Sequence, residues 1–272
     1  MDKETKIMIE KKFGDNKEKI GIKEACINAS IERIQERFGV GVDKEKFRSA
    51  VSGSGNELLK MDSKTSSSLL AFLFFQNAPK NKLTINGTTY NDVKFEYKNE
   101  VFNSPSNVDV VLENDDSIIF IECKFTEYLT PSIVAISDQY LDNDLFKELK
   151  KKKTDFVSLE NVDKEKNKYS AAINGTRIYA EGIKQIIAHL IGIKNYKNKE
   201  ENKNKKIAFL EVVYGFDTDI LYNYRKAIDS LKDTVYIQDL KIDYLGLMTY
   251  QEILNKNTNY VLAKGIKEFY KF

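Results

Sequence analysis

Apolar positions along the chain follow two periods. In IKEACINASIERIQERF, Ile27, Ile31, Ile34 and Phe38 recur every three or four residues, and Gly39 follows as a helix stop. A second helical segment is predicted over NELLKMDSKTSSSLLAFLFFQNA, with a serine-rich centre and Leu58, Leu59, Leu69, Leu70, Leu73 and Phe74 on its apolar side. The period then drops to two. INGTTY carries an Asn-Gly turn signal, VKFEYKNEVF alternates as a strand does, and SNVDVVLENDDSIIFIECKF supplies two further strands around an acidic turn. Residues 131–175 read as an insertion, with SIVAISDQYLDNDLFKELKKKKTDF helical and SLENVDKEKNKYSAAING a loop. TRIYAEGIKQIIAHLIGIKNY is an amphipathic helix. IAFLEVVYGF is a buried strand, TDILYNYRKAIDSLKD a helix, LKIDYLGLMTY a strand, and the chain from TYQEILN onward is helical. Hairpins followed by a strand–helix–strand crossover predict an α/β fold with a mixed central sheet flanked by helices. Residues 1–50 form a helical N-terminal extension to a domain over 51–272.

Composition narrows the classes. The chain has 272 residues, 42% hydrophobic, enough for a sizeable core in one large domain. Charges make up 31% and nearly balance, at a formal +2, which excludes a purely electrostatic, histone-like binder but leaves room for a local basic patch. Lys150–Lys153 and the run KNKEENKNKK could contact a nucleic-acid backbone; singly, a solvated helix end or loop explains each better. Two cysteines, Cys26 and Cys123, rule out a disulfide framework or a four-cysteine zinc site. One histidine, His189, rules out chemistry that needs two from one chain, and alone it reads as a surface or hydrogen-bonded residue. The charged N-terminus has no apolar core of a secretory signal, and no apolar run approaches a membrane span, so a soluble cytoplasmic protein is expected.

Three charges stand inside the most strand-like part of the chain: Asp109, Glu122 and Lys124. A charge there is costly unless it is paired or binds something. Side-chain alternation puts Glu122 and Lys124 on one face and Cys123 on the other. With a two-residue turn at Asp115-Asp116, Asp109 falls opposite Glu122, and Lys124 falls opposite Asn107. Facing carboxylates repel, and a divalent cation between them reverses that sign. Oxygen ligands suit Mg²⁺, and a lysine beside the metal can orient or deprotonate a water. A short D…ExK pattern also arises from a Glu–Lys pair on a solvated strand with an unrelated Asp; strand character and spacing favour the site here.

The segments VDVVL and IIFIECK resemble the PD-(D/E)XK nuclease superfamily, with VD in place of PD and ECK as the ExK element. NELLKMDSKTSSSLLAFLFF, SNVDVVLENDDSIIFIECKFTEYL and EGIKQIIAHLIGI together resemble bacterial putative restriction-endonuclease-like proteins, over roughly residues 52–215. The resemblance implies a restriction-endonuclease-like core of order α-β-β-β-α-β. It also implies Asp109, Glu122 and the backbone carbonyl of Cys123 as ligands of Mg²⁺ (Mn²⁺ as substitute), with Lys124 at the water. Glu57 is the candidate for an acidic residue completing the metal site from the first core helix; the other reading is a carboxylate favoured by the helix dipole. Gln185 fits a glutamine used beside the site, on a stripe with Glu181 and His189, where a solvated polar face is the competing reading. Ser66, Ser67 and Ser68 could touch a phosphate, but packing or a kink explains them better. The expected activity is Mg²⁺-dependent DNA endonuclease action of restriction type. The alternatives are a repair or phage-type nuclease acting on ends or junctions and a non-catalytic DNA-binding module. A palindromic target would favour a homodimer.

Overall fold

Ser117–Lys124 is a strand whose eight residues are all buried, so both of its faces must be covered by other elements. The computed structural model describes residues 17–52, 57–61, 63, 65–102, 105–151 and 154–272, with side chains from Lys23 onward and that of Glu57 excepted. In chain order the elements are α1 (Lys17–Phe38), α2 (Lys44–Ala50), α3 (Glu57–Lys60), α4 (Ser67–Phe75), β1 (Thr84–Ile85), β2 (Thr88–Thr89), β3 (Asp92–Glu100), β4 (Pro105–Glu113) and β5 (Ser117–Lys124). They continue with β6 (Ile133–Ala135), α5 (Asp138–Leu141), α6 (Asp144–Leu149), β7 (Ser158–Asp163), β8 (Lys168–Ile173), β9 (Thr176–Ile178) and α7 (Ala180–Lys197). The last are β10 (Lys206–Val213), α8 (Asp219–Ser230), α9 (Val235–Leu240), β11 (Asp243–Thr249), α10 (Tyr250–Lys256) and α11 (Lys264–Tyr270).

The central sheet has five strands in the order β11-β10-β5-β4-β3. β3, β4 and β5 pair antiparallel, and β10 runs parallel to both β5 and β11, so the sheet is mixed. The fold is α/β. Helices α7, α8 and α9 cover one face, burying Ile183, Ile187, Leu190, Tyr224 and Ile228 against Val111, Phe120 and Phe209. Helices α1, α2, α4, α10 and α11 cover the other, where Ile27, Phe38, Phe47 and Leu69–Phe75 meet Val110, Ile119 and Ile121. The N-terminal helices are therefore a wall of this second core.

The β4–β5 turn forms as the pattern predicts. The Asn114 N–H donates to the Ser117 carbonyl at 2.9 Å, and Val110 pairs with Ile121. The β4–β5 pairing stops there. Neither Asp109 opposite Glu122 nor Lys124 opposite Asn107 is a ladder pair, because the Asp109 carboxylate takes the Cys123 N–H at 2.7 Å. A second feature sits at the same level. Phe95 and Val110 face the α4 side, yet Tyr97 and Val108, two residues on, face the α7 side. Both strands exchange faces together at Glu96 and Asp109, where Glu96 has φ +49°. A side chain at a reset of the pleat is re-aimed, as happens at bulges.

Four expectations need correction. The helix predicted over 56–78 is two, α3 and α4, because the Ser66 hydroxyl accepts from the Leu69 N–H at 3.0 Å and caps a new start. The segment from Ser132 is not helical throughout: Ile133–Ala135 is strand β6, ahead of the short helices α5 and α6. The loop expected over 158–175 is the hairpin β7–β8, in an antiparallel sheet with β6 and β9. Its buried side, Leu159, Tyr169, Ala171 and Ile173, belongs to the core under α7, while exposed polar positions on β7 hide the alternation. Lastly, Thr176–Ile178 is β9, so the helix after the insertion starts at Ala180.

Helix α7 lies close on β3 because Gly192 has no side chain: a Cβ there would stand 2.6 Å from Asn99 Cβ. Gly192→Ala should lower stability by about 1–3 kcal/mol, overpacking outweighing the roughly 1 kcal/mol helix gain of alanine. Urea unfolding measures this, and an unchanged midpoint would mean that α7 withdraws from β3 without cost.

Candidate active site

The site lies where β4 and β5 meet the helix α7. Glu122 and Lys124 project from β5 into a cavity of about 410 Å³ between the sheet and α7. They are 2% and 5% exposed. Breaking such a buried pair leaves an uncompensated charge, at roughly 3–5 kcal/mol. Lys124 Nζ donates to Glu122 Oε1, and His189 Nε2 meets Glu122 Oε2 at 2.8 Å. An ionised carboxylate only accepts, so the proton is on Nε2. His189 Nδ1 lies 2.6 Å from the Ser106 hydroxyl on β4. A hydrogen-bonded chain therefore runs Ser106–His189–Glu122–Lys124 and joins β4, α7 and β5.

Asp109 borders the same cavity, half-buried, with one oxygen on the Cys123 N–H. Cys123 also borders it, while its side chain lies in the opposite core, so its backbone forms that part of the wall. Gln185 reaches the cavity from α7, and its Oε1 is buried without a hydrogen-bond partner. The structure thus brings Asp109, Glu122, Cys123, Lys124 and Gln185 together. Glu57 starts α3, but its side chain lies outside the described residues. Of the serines, Ser66 is a cap, while Ser67 and Ser68 border the cavity, as do Lys60 and Lys184.

Burial and the Glu122 charge push the Asp109 carboxyl well above its usual range, against the pull of Lys124. Burial alone would raise Glu122 too. The Lys124 charge and then His189, with their hydrogen bonds, overcome it and hold Glu122 at about 2. Lys124 is itself raised well above the usual lysine value: burial opposes its charge, but Glu122 and Asp109 prevail. Lys124 is therefore held as an ammonium donor in this arrangement.

The donor chemistry suits a hard cation. Asp109 and Glu122 offer oxygen, each hydrogen-bonded carboxylate oxygen keeps a second lone pair, and the orphaned Gln185 Oε1 is a further acceptor. A cation would also favour ionised Asp109, which its surroundings disfavour. Among the described residues, no group of three His, Cys, Asp or Glu side chains is placed to hold a metal, so the set fits Mg²⁺ by oxygen chemistry and not by a ready cage.

Sequence reading missed Ser106 and Glu211 and left His189 as a surface or hydrogen-bonded residue; it is buried and hydrogen-bonded at the site. For His189 a signal existed, since Glu181, Gln185 and His189 form a polar stripe on an apolar helix. Glu211 sits in an apolar strand, IAFLEVVYGF, and pairs in register with Glu122 across β10 and β5. It is fully buried; Oε1 accepts from the Tyr224 hydroxyl at 2.6 Å, and Oε2 has no partner. Gly182 makes room for this bond, since a Cβ there would come 2.1 Å from the Tyr224 hydroxyl. The chain matches no family model, no curated protein and no solved structure.

Burial pushes Glu211 from 4.5 up to about 7, against Lys124 and the Tyr224 bond. The folded state therefore holds this proton more tightly than the unfolded chain, and stability falls as pH rises from about 4.5 to 7, then levels off. Glu211→Gln keeps an acceptor for Tyr224 and removes that fall. The variant should gain roughly 3 kcal/mol over wild type at pH 8 and almost nothing at pH 4.5. Denaturant unfolding at both values tests it; identical pH dependence in the two proteins would exclude Glu211 as the group responsible.

Proposed function

We propose that the chain is a Mg²⁺-dependent DNA endonuclease of restriction type, on the PD-(D/E)XK plan. One observation carries the reading: an Asp, a Glu and a Lys from adjacent strands meet at the wall of one polar cavity, with Glu122 and Lys124 almost fully buried. A purely structural ion pair has no need of a second acid and an orphaned amide at its side. The element order supports the reading: with β1–β2 and the block from β6 to β9 set aside, helix α4, the antiparallel β3–β4–β5, helix α7 and the parallel β10 come in the order α-β-β-β-α-β.

In this reading Asp109, Glu122 and the Cys123 carbonyl would hold Mg²⁺, with Mn²⁺ as substitute. The ion supplies a bound water of lowered pKa and neutralises phosphate charge. Lys124, as an ammonium, donates to the oxygen on which negative charge builds. Gln185, whose Oε1 has no hydrogen-bond partner, would accept a hydrogen bond beside the site. Ser67, Ser68, Lys60 and Lys184 also line the cavity, a mixed polar lining that suits a phosphodiester.

Purified protein incubated with Mg²⁺ or Mn²⁺ should nick or linearise closed circular DNA. An enzyme acting only on ends would spare the circle and degrade end-labelled linear DNA. Lys124→Ala should reduce cleavage by on the order of 10²–10³-fold. Because Lys124 is buried, circular dichroism must show that the variant is folded, and Lys124→Gln, which keeps a neutral donor, serves as the second variant. Failure of the wild type to cut any DNA form, together with failure to bind Mn²⁺, would sink the proposal.

A further inference from the structure

Lys124 alone leaves the Glu122 carboxylate free to turn about its last bond, because one hydrogen bond fixes one oxygen and not a plane. The second oxygen is held from a different element. His189 is 2% exposed, reaches from α7 to Oε2, and its other ring nitrogen is committed to Ser106. We propose that His189 is a positioning residue: its Nε2–H clamps Glu122 Oε2 while Ser106 on β4 fixes the ring, so that the carboxylate meets the cavity in one orientation.

The proposal rests on the nuclease reading for what Glu122 does, though not for the clamp itself. Three features make it more than a buried histidine finding a partner. The chain spans the same two strands that carry Asp109 and Glu122. Both ring nitrogens are engaged, which fixes the side to which the proton is delivered. Carboxylates that bind metals are themselves hydrogen-bonded, and losing such a partner costs about 10–100-fold in affinity or activity. The connectivity also matches a serine nucleophile with a histidine base and an acid behind it. In that case Ser106 would be the catalytic group and His189 would act on it instead of on Glu122.

His189 is the single histidine of the chain, so tag-free protein gives one imidazole in a ¹H–¹⁵N spectrum. The expected signal has the proton on Nε2 in slow exchange with water, and Glu122→Gln should shift it. An Nε2 without a proton, or a ring in free exchange with solvent, overturns the clamp. Mn²⁺ binding by calorimetry supplies the second measurement. His189→Ala should weaken it about 10–100-fold, and His189→Gln, whose amide N–H can replace the donor to Glu122, should recover most of the loss. Equal Mn²⁺ affinity in wild type and both variants also overturns the proposal. If wild type takes up no Mn²⁺, the nuclease reading falls while the ring spectrum still decides the clamp. Ser106→Ala, which keeps the Glu122 contact, should retain cleavage within roughly tenfold; complete loss in a folded variant would make Ser106 a nucleophile and overturn the positioning role.

Discussion

The contact between the Lys124 ammonium and the Glu122 carboxylate constrains much of the architecture. Both groups hang from a strand covered on both faces, and desolvating each costs several kcal/mol before any attraction is counted. Such a pair survives only if the remaining hydrogen-bonding capacity is met nearby. The neighbours of β5 supply it. Helix α7 brings a donor, His189, to the second oxygen of Glu122, and β4 brings Ser106 to hold that donor. On the other flank β10 sets Glu211 level with Glu122, where its field further favours a charged Lys124. The three carboxylates thus work against one another and toward the one ammonium.

Helix α7 can take part only because two of its residues are glycines. Gly192 lets it approach β3 at Asn99, and Gly182 leaves room for the Tyr224 hydroxyl to reach Glu211. The stripe Gln185–His189 lies between these two approaches and so faces the cavity at short range. Helix–strand packing and site chemistry are in this sense one problem: lengthening the gap between α7 and the sheet would weaken the core and release Glu122 at once.

Much of this was legible in the sequence, and what was not has a physical reason. The β4–β5 turn could be read because Asp115-Asp116 separates two apolar, β-branched runs and nearby bonds close it. The mixed order of strands followed from hairpins preceding a crossover helix. The break between α3 and α4 was hidden because the serines read as poor helix formers, not as the Ser66 cap. The β7–β8 hairpin was hidden because β7 does not alternate beyond Leu159 and its turn, DKEKN, is indistinguishable by composition from a solvated loop. The polar stripe marks His189 as a residue, but its partners lie 67 and 83 residues away, and the stripe does not name them. The exchange of faces at Glu96 is least legible of all, since a left-handed conformation at a non-glycine residue has no compositional mark.

That exchange also bears on how Asp109 comes to border the cavity. Had β4 kept a regular pleat and ladder, Asp109 would have faced Glu122 as one more cross-strand pair, with like charges directly opposed and nothing to relieve them. Ending the ladder at Val110–Ile121 frees the Cys123 N–H, and the Asp109 carboxylate takes it. One oxygen is thereby fixed, and the acid borders the cavity instead of pressing on Glu122 as a ladder partner. The irregularity costs a backbone pairing and a strained residue, of order 1–3 kcal/mol. What it secures is a second carboxylate beside the first, oriented by the backbone of the strand that carries Glu122 and Lys124.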